Sequence, residues 1–434
     1  MHDRITATVD VLARRIAEAV PAVGPLPSTP PMWAPHSLSR GLPGIALLFG
    51  CLGRDDPAHR NTAHAYLAAV ADALPHQTEP WGLDRAIPAL AFAATSVSGT
   101  TGAYRNLIAA LDERVADSVR LTLAAERGRM DAGVPAPTPP RFDTLAGLAG
   151  IGRYLLGSRS AAAADTLPLV LTYLVDLAQP VRTPHGTVPG WWTVPEHAAV
   201  GAATDPREAV LDLGLAHGVA GPLALLSLAR RHGVHVPGQD EAAHRMAEWL
   251  MNWTKSDEGL THWPRMVTLT QERDRTRPAP RNPRMASWCY GTPGIARSLQ
   301  LAGHAFGVER WSGAATAAVR RLLTAPRSAW TLDDHGLCHG YAGLLQTVRR
   351  VASDSPDPRL LLLTDSLADD IARACRTETV YGYEAMDPQD GRAVLVGLPG
   401  LLEGTAGIAL ALWDVVAGGG ESHRLPWDSF LLLS

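Results

Sequence analysis

Lysine is almost absent from this chain: Lys255 is the only one, so arginine supplies nearly all of the positive charge, a bias that looks like GC-rich coding. The net charge is −4 at pH 7 and the pI is near 6.5, which excludes the basic footprint of a nucleic-acid-binding protein. Cysteine is scarce too. Four of them, at 51, 289, 338 and 375, are too few for a disulfide scaffold in 434 residues, and Cys51 and Cys375 lie within apolar helical stretches. A reducing compartment fits that usage. No uncharged apolar run is long enough to span a membrane. At the N-terminus, charges interrupt any signal-peptide core, while Ile5, Val9, Leu12, Ile16 and Val20 recur at helical spacing. The expectation is a soluble, cytoplasmic protein.

Strand signals are also few, and a repeat takes their place. Gly-x-x-Gly followed by an apolar run occurs at Gly41–Gly44, Gly147–Gly150, Gly218–Gly221, Gly291–Gly294, Gly340–Gly343 and Gly404–Gly407, with a worn copy beginning near Gly82. The runs, such as Ile408-Ala409-Leu410-Ala411-Leu412, are apolar on nearly all sides and read as buried helices. Amphipathic segments alternate with them, at 61–75, 105–125, 161–178, 240–252 and 358–375. Inner helices ringed by outer ones bury such segments without a sheet. The prediction is all-α: a single α/α-toroid domain over 1–434, with about seven inner and seven outer helices. The proline-rich stretches 127–140, 180–209 and 253–287 read as polar loops, the last rich in arginine from Arg265 to Arg284. A solvated rim is the plainer reading of that charge, and a lip that guides a peptide the sharper one.

In such a ring every inner helix starts at the same end, so the residues before each glycine pair share one mouth. Immediately before the first glycine stand Arg40, Ala146, His217, Tyr290, His339 and Glu403, five of the six polar, which a buried helix does not need. The helix N-termini would also favour an anion there. Two residues before the first glycine stand Cys289 and Cys338, in different copies. Cys289, Cys338 and His339 would make a three-ligand zinc site with an open fourth position. The alternative is that both cysteines are small buried apolar residues. Two thiolate ligands leave an electron-rich metal, suited to activating a nucleophilic sulfur more than to polarising a carbonyl. His217 is a candidate general acid or base. Asp143, four residues before Gly147, can orient that histidine or cap the following helix. Asp143 and Glu403 as a glycosidase carboxylate pair is another reading.

Trp288-Cys289-Tyr290-Gly291-Thr292-Pro293-Gly294, Cys338-His339-Gly340, His217–Gly221, Asp143–Leu156 and Gly400–Leu412 together resemble the lanthionine synthetase C-like family, the cyclases of class I lanthipeptide biosynthesis. The resemblance runs from about residue 36 to the C-terminus. It implies a double ring of helices with zinc (Zn2+) at one end of the central cavity, held by Cys289, Cys338 and His339. It also implies His217 as the catalytic histidine, Asp143 as its aspartate and Tyr290 as an assisting tyrosine. A further arginine is expected four residues before Cys289, where Met285 stands; Arg284 is one residue further off, and Arg281 is a second candidate. The implied reaction is Michael-type addition of a peptide cysteine thiol to dehydroalanine or dehydrobutyrine. Its substrate is a dehydrated precursor peptide, which implies a separate dehydratase. Glutathione addition to dehydroamino acids and a metal-free binding toroid are the alternatives.

Overall fold

The computed structural model describes residues 1–22, 32–74, 82–99, 101–183, 186–194, 209–275, 285–355, 357–389, 392–418 and 425–434. Each clear glycine pair opens a helix buried along most of its length: α2 (Leu42–Leu52), α6 (Leu148–Gly157), α8 (Ala220–Arg231), α11 (Thr292–Phe306), α13 (Tyr341–Asp354) and α15 (Thr405–Val416). The second glycine of the pair is dictated by space. A Cβ on Gly294 would lie 2.0 Å from the Trp288 carbonyl oxygen, and Gly44, Gly150, Gly343 and Gly407 face the equivalent carbonyl at 1.8–2.1 Å. The chain therefore curls tightly over its own helix start. In all six copies the N–H after the first glycine donates to the carbonyl seven residues earlier, at 2.7–3.1 Å (Thr292 to Met285, Tyr341 to Asp334). That first helical donor is thus already satisfied by backbone and does not face an anion at the mouth.

The worn copy has a shifted register. Its helix α4 (Ala86–Ser98) opens at Ala86, so that Arg85-Ala86-Ile87-Pro88-Ala89 stands where Arg40-Gly41-Leu42-Pro43-Gly44 stands in the first copy. Both glycines are alanine there, and Ala86 takes a positive φ of 34°.

These turns join into a closed ring of backbone hydrogen bonds. Cys338 N–H donates to Leu402, Leu402 to Ser39, Leu38 to Asp84, Asp84 to Leu145, Thr144 to Ala216, Ala216 to Cys289 and Cys289 back to Cys338, all at 2.9–3.2 Å. Seven repeats are linked head to head, which closes the inner ring.

Outside it lie α3 (Pro57–Ala73), α5 (Arg105–Asp131), α7 (Ala161–Leu177), α9 (Gln239–Asn252), α12 (Glu309–Thr324) and α14 (Pro358–Arg373), each packed on the inner helix before it. The seventh outer helix is the first in sequence: α1 (His2–Ala19) packs on α15 and α14. Its Ile5, Val9, Leu12 and Ile16 are buried, each contributing about 1.5–3 kcal/mol by leaving water. The architecture is the expected α/α toroid, with seven inner and seven outer helices among the described residues.

The polar loops hold more structure than their sequence signals. Among the described residues there are four two-stranded antiparallel pairs, with strands of three to five residues too short to show clear alternation. One pair matters for the mouth: β1 (Val210–Asp212) pairs with β2 (Met266–Thr268), which leads into the short helix α10 (Leu269–Asp274). Inside the ring, the C-terminal residues Trp427–Leu433 are buried and tie the inner helices together. Trp288 Nε1 donates to the Leu431 carbonyl at 3.0 Å and Arg297 Nε to the Leu433 carbonyl at 2.9 Å, so the segment carrying Cys289 is anchored from within the ring. Among the described residues no helix is long and apolar enough to cross a membrane.

Candidate active site

Closure of the ring puts equivalent positions of adjacent repeats side by side. Cys289 and Cys338, 49 residues apart in sequence, are joined by a backbone hydrogen bond of 3.1 Å. Their sulfur atoms and a ring nitrogen of His339 all lie within 4.8 Å of one another, the one such cluster of potential metal ligands among the described residues. A hydrogen bond from the Cys338 thiol holds Cys289 well below the ordinary thiol value against the effect of burial, with His339 and Ser287 adding to it. The two sulfurs and the imidazole are a donor set that suits Zn2+.

A carboxylate absent from the sequence reading orients the histidine. Asp334 Oδ2 lies 3.0 Å from His339 Nε2, while its Oδ1 accepts the Gly336 N–H at 2.7 Å. With Nε2 engaged, Nδ1 is the ring nitrogen left to act as a ligand, the tautomer control common at metal-binding histidines.

His217 is held differently. Its Nδ1 lies 2.7 Å from Asp143 Oδ2, across the boundary to the preceding inner repeat, and Asp143 Oδ1 accepts the Ala146 N–H at 2.5 Å. One oxygen serves the turn and the other the imidazole. Asp143 is fully buried, whereas the His217 side chain is 34% exposed, so the pair points one imidazole edge outward from a rigid support. Burial alone would lower the His217 pKa. The hydrogen bond and charge of Asp143, with Asp212 and Cys289 nearby, raise it above its ordinary value instead. Burial pushes Asp143 upward, opposed by its bonds to His217 and the backbone.

Tyr290 lies between these groups, its ring centroid 5.9 Å from that of His217. Gly214 makes room for it: a Cβ there would meet the tyrosine ring at 2.5 Å. Above the ring lies Arg265, with its guanidinium carbon 4.2 Å from the centroid and Nη2 3.3 Å from the phenol oxygen. Asp212 completes the group; burial raises its pKa to about 6, opposed by the Gly214 N–H and by the charges of His217 and Arg265.

The structure thus brings together Cys289, Cys338 and His339, joins His217 to Asp143, and puts Tyr290 beside them. Arg284 and Arg281 lie outside the described residues. Glu403 pairs with Arg40 at 3.4 Å, and Asp143 is committed to His217, so neither stands as an uncommitted acid of a glycosidase pair. Asp334, Asp212 and Arg265 are the site residues that the sequence reading missed. The first two had a signal: the copies that carry histidine read Asp212-Leu-Gly-Leu-Ala-His217-Gly and Asp334-His-Gly-Leu-Cys-His339-Gly, with aspartate at the same offset.

Fold and site define a class: an α/α toroid with a Cys/Cys/His cluster and a buried His–Asp pair at the shared mouth of its inner helices. Residues 32–432 match the family described as lanthionine synthetase C-like protein, and the chain belongs to that family. It is similar to nisin biosynthesis protein NisC of Lactococcus lactis subsp. lactis, 22% identical over 313 residues, which cover 71% of this chain and 72% of that one. Among solved structures it is similar to nisin cyclase, with a TM-score of 0.77 at 19% identity over 99% of this chain and 97% of that one.

Proposed function

We propose that this protein is a zinc-dependent lanthipeptide cyclase, closing thioether rings in a dehydrated precursor peptide. The observation that carries the reading is the convergence of three potential ligand atoms within 4.8 Å, in the same group of turns as a His217–Asp143 pair at 2.7 Å. The names of the relatives, a nisin biosynthesis protein and a nisin cyclase, support it. Cys289, Cys338 and His339 would hold the metal, and Asp334 would fix the histidine. A zinc ion there supplies a soft Lewis acid that favours thiolate over thiol at neutral pH.

In the reaction, the peptide cysteine sulfur bonds to the β-carbon of a dehydroalanine or dehydrobutyrine. The π electrons shift toward the adjacent carbonyl, and the α-carbon then takes a proton, so the net change is addition of the thiol sulfur and its proton across the Cα=Cβ double bond. His217 is suited to deliver that proton: Asp143 holds Nδ1, Nε2 is its working nitrogen, and the hydrogen bond and charge of Asp143 favour the protonated ring. Tyr290, with the Arg265 cation behind its ring, is suited to steady the enolate oxygen.

Dehydration of serine and threonine must come first and is assigned to a separate dehydratase. A reducing compartment, the cytoplasm, suits a chain with four unpaired cysteines. The test is cyclisation of a dehydrated cysteine-containing peptide, followed as loss of free thiol at constant mass. His217→Asn should lower the rate by roughly 10²–10⁴-fold with zinc still bound; unchanged turnover would defeat the assignment.

A further inference from the structure

We propose that Arg265 is a positioning residue that acts through Tyr290, holding the phenol in place beside His217. The inference rests on the cyclase reading for its kinetic consequence, but the contact itself does not depend on it. Arg265 comes from outside the glycine repeat. The β1–β2 pair aligns Asp212 with Met266, and Leu213 N–H donates to the Arg265 carbonyl at 3.0 Å, so the backbone that carries Arg265 is sewn to the turn that carries His217. Its guanidinium carbon lies over the Tyr290 ring, 4.2 Å from the centroid, with Nη2 reaching the phenol oxygen at 3.3 Å. Two contacts of different kinds fix one ring: the cation on the π face sets its plane, and the N–H donor sets where the oxygen lies. Because the guanidinium can only donate, the phenol oxygen is the acceptor in that contact, and the tyrosine proton is directed elsewhere. Lysine cannot reproduce this, as an ammonium is a point charge without the planar fork. Gly214 leaves room for the same ring, since a Cβ there would meet it at 2.5 Å.

The test combines kinetics and spectroscopy on the zinc-loaded full chain. With a dehydrated cysteine-containing peptide, Arg265→Met should lower kcat about tenfold with KM little changed, and Arg265→Lys should recover little of it. In a Tyr290→Phe background, the further loss from Arg265→Met should shrink to less than about twofold, because the arginine acts through the hydroxyl. Equal losses in both backgrounds overturn the proposal. Independently of activity, the ¹³Cζ resonance of Tyr290 in tyrosine-labelled protein, assigned by its disappearance in Tyr290→Phe, should move on Arg265→Met or Arg265→Lys. It should stay in place on Arg120→Met, a change to a surface ion pair on α5. A Tyr290 resonance indifferent to Arg265 overturns the proposal whatever the kinetics. A wild type that binds its peptide and does not cyclise it would overturn the cyclase reading, while the resonance still decides the contact.

Discussion

Asp334→Asn should weaken zinc binding by about 10–100-fold, although Asp334 is not itself a ligand. The carboxylate accepts from two donors at once: His339 Nε2 at 3.0 Å on one oxygen and the Gly336 N–H at 2.7 Å on the other. Asparagine has the same shape but only one acceptor atom. Whichever way the amide turns, one donor faces an NH2 group. If the backbone keeps the oxygen, the histidine loses the partner that sets its tautomer; if the histidine keeps it, the turn before α13 carries an unsatisfied N–H. The expected weakening corresponds to about 1.4–2.7 kcal/mol. Zinc affinity is read by competition with a chromogenic chelator near neutral pH, with circular dichroism to establish that the variant folds. A folded Asp334→Asn protein with wild-type affinity would refute the role given to the second carboxylate.

Asp143→Asn tests the other pair through pH. The folded pKa of His217 is raised above its unfolded value of about 6.5, so its contribution to stability is fully present below that value and fades as pH rises through the folded pKa. The stability difference between wild type and Asp143→Asn in urea unfolding should therefore shrink from pH 6 to pH 9; a constant difference would contradict the pairing. Gly294→Ala tests the turn that carries the first cysteine: with the Trp288 carbonyl 2.0 Å from the new Cβ, the backbone beside Cys289 must move. Overpacking of that kind costs about 1–3 kcal/mol, and zinc affinity should fall with it. Gly313→Ala on α12, where a Cβ meets nothing within 4 Å, should leave both unchanged or raise stability by up to about 1 kcal/mol. Equal melting temperatures for the two variants would refute the packing argument.

What could be read in the sequence follows from what a repeat conveys. Cys289 and Cys338 are far apart in the chain, but both stand two residues before a helix-opening glycine, and ring closure turns equal offsets into neighbouring positions. The inner helices were legible for the same reason, since their apolar runs follow each glycine pair. Asp334 and Asp212 carried a signal that emerges only when the two histidine-bearing copies are compared with each other. The second copy obscured its register because both glycines had become alanine, leaving Arg85 and Pro88 as its remaining marks. Arg265 had no repeat position to betray it. It reaches Tyr290 through a pairing of three-residue strands, and nothing in so short a segment distinguishes it from the other arginines of the same stretch. The partner of α15 was equally hidden, since closing the outer ring with α1 joins the two ends of the sequence.

Zinc dependence can be decided from the metal content of the purified protein, wild type beside Cys289→Ala and Cys338→Ala. A site shared by both cysteines requires one zinc per chain in the wild type and its loss in each variant, with all three proteins helical. A folded wild type that takes up no zinc when it is supplied, or a variant that retains stoichiometric metal, would contradict it.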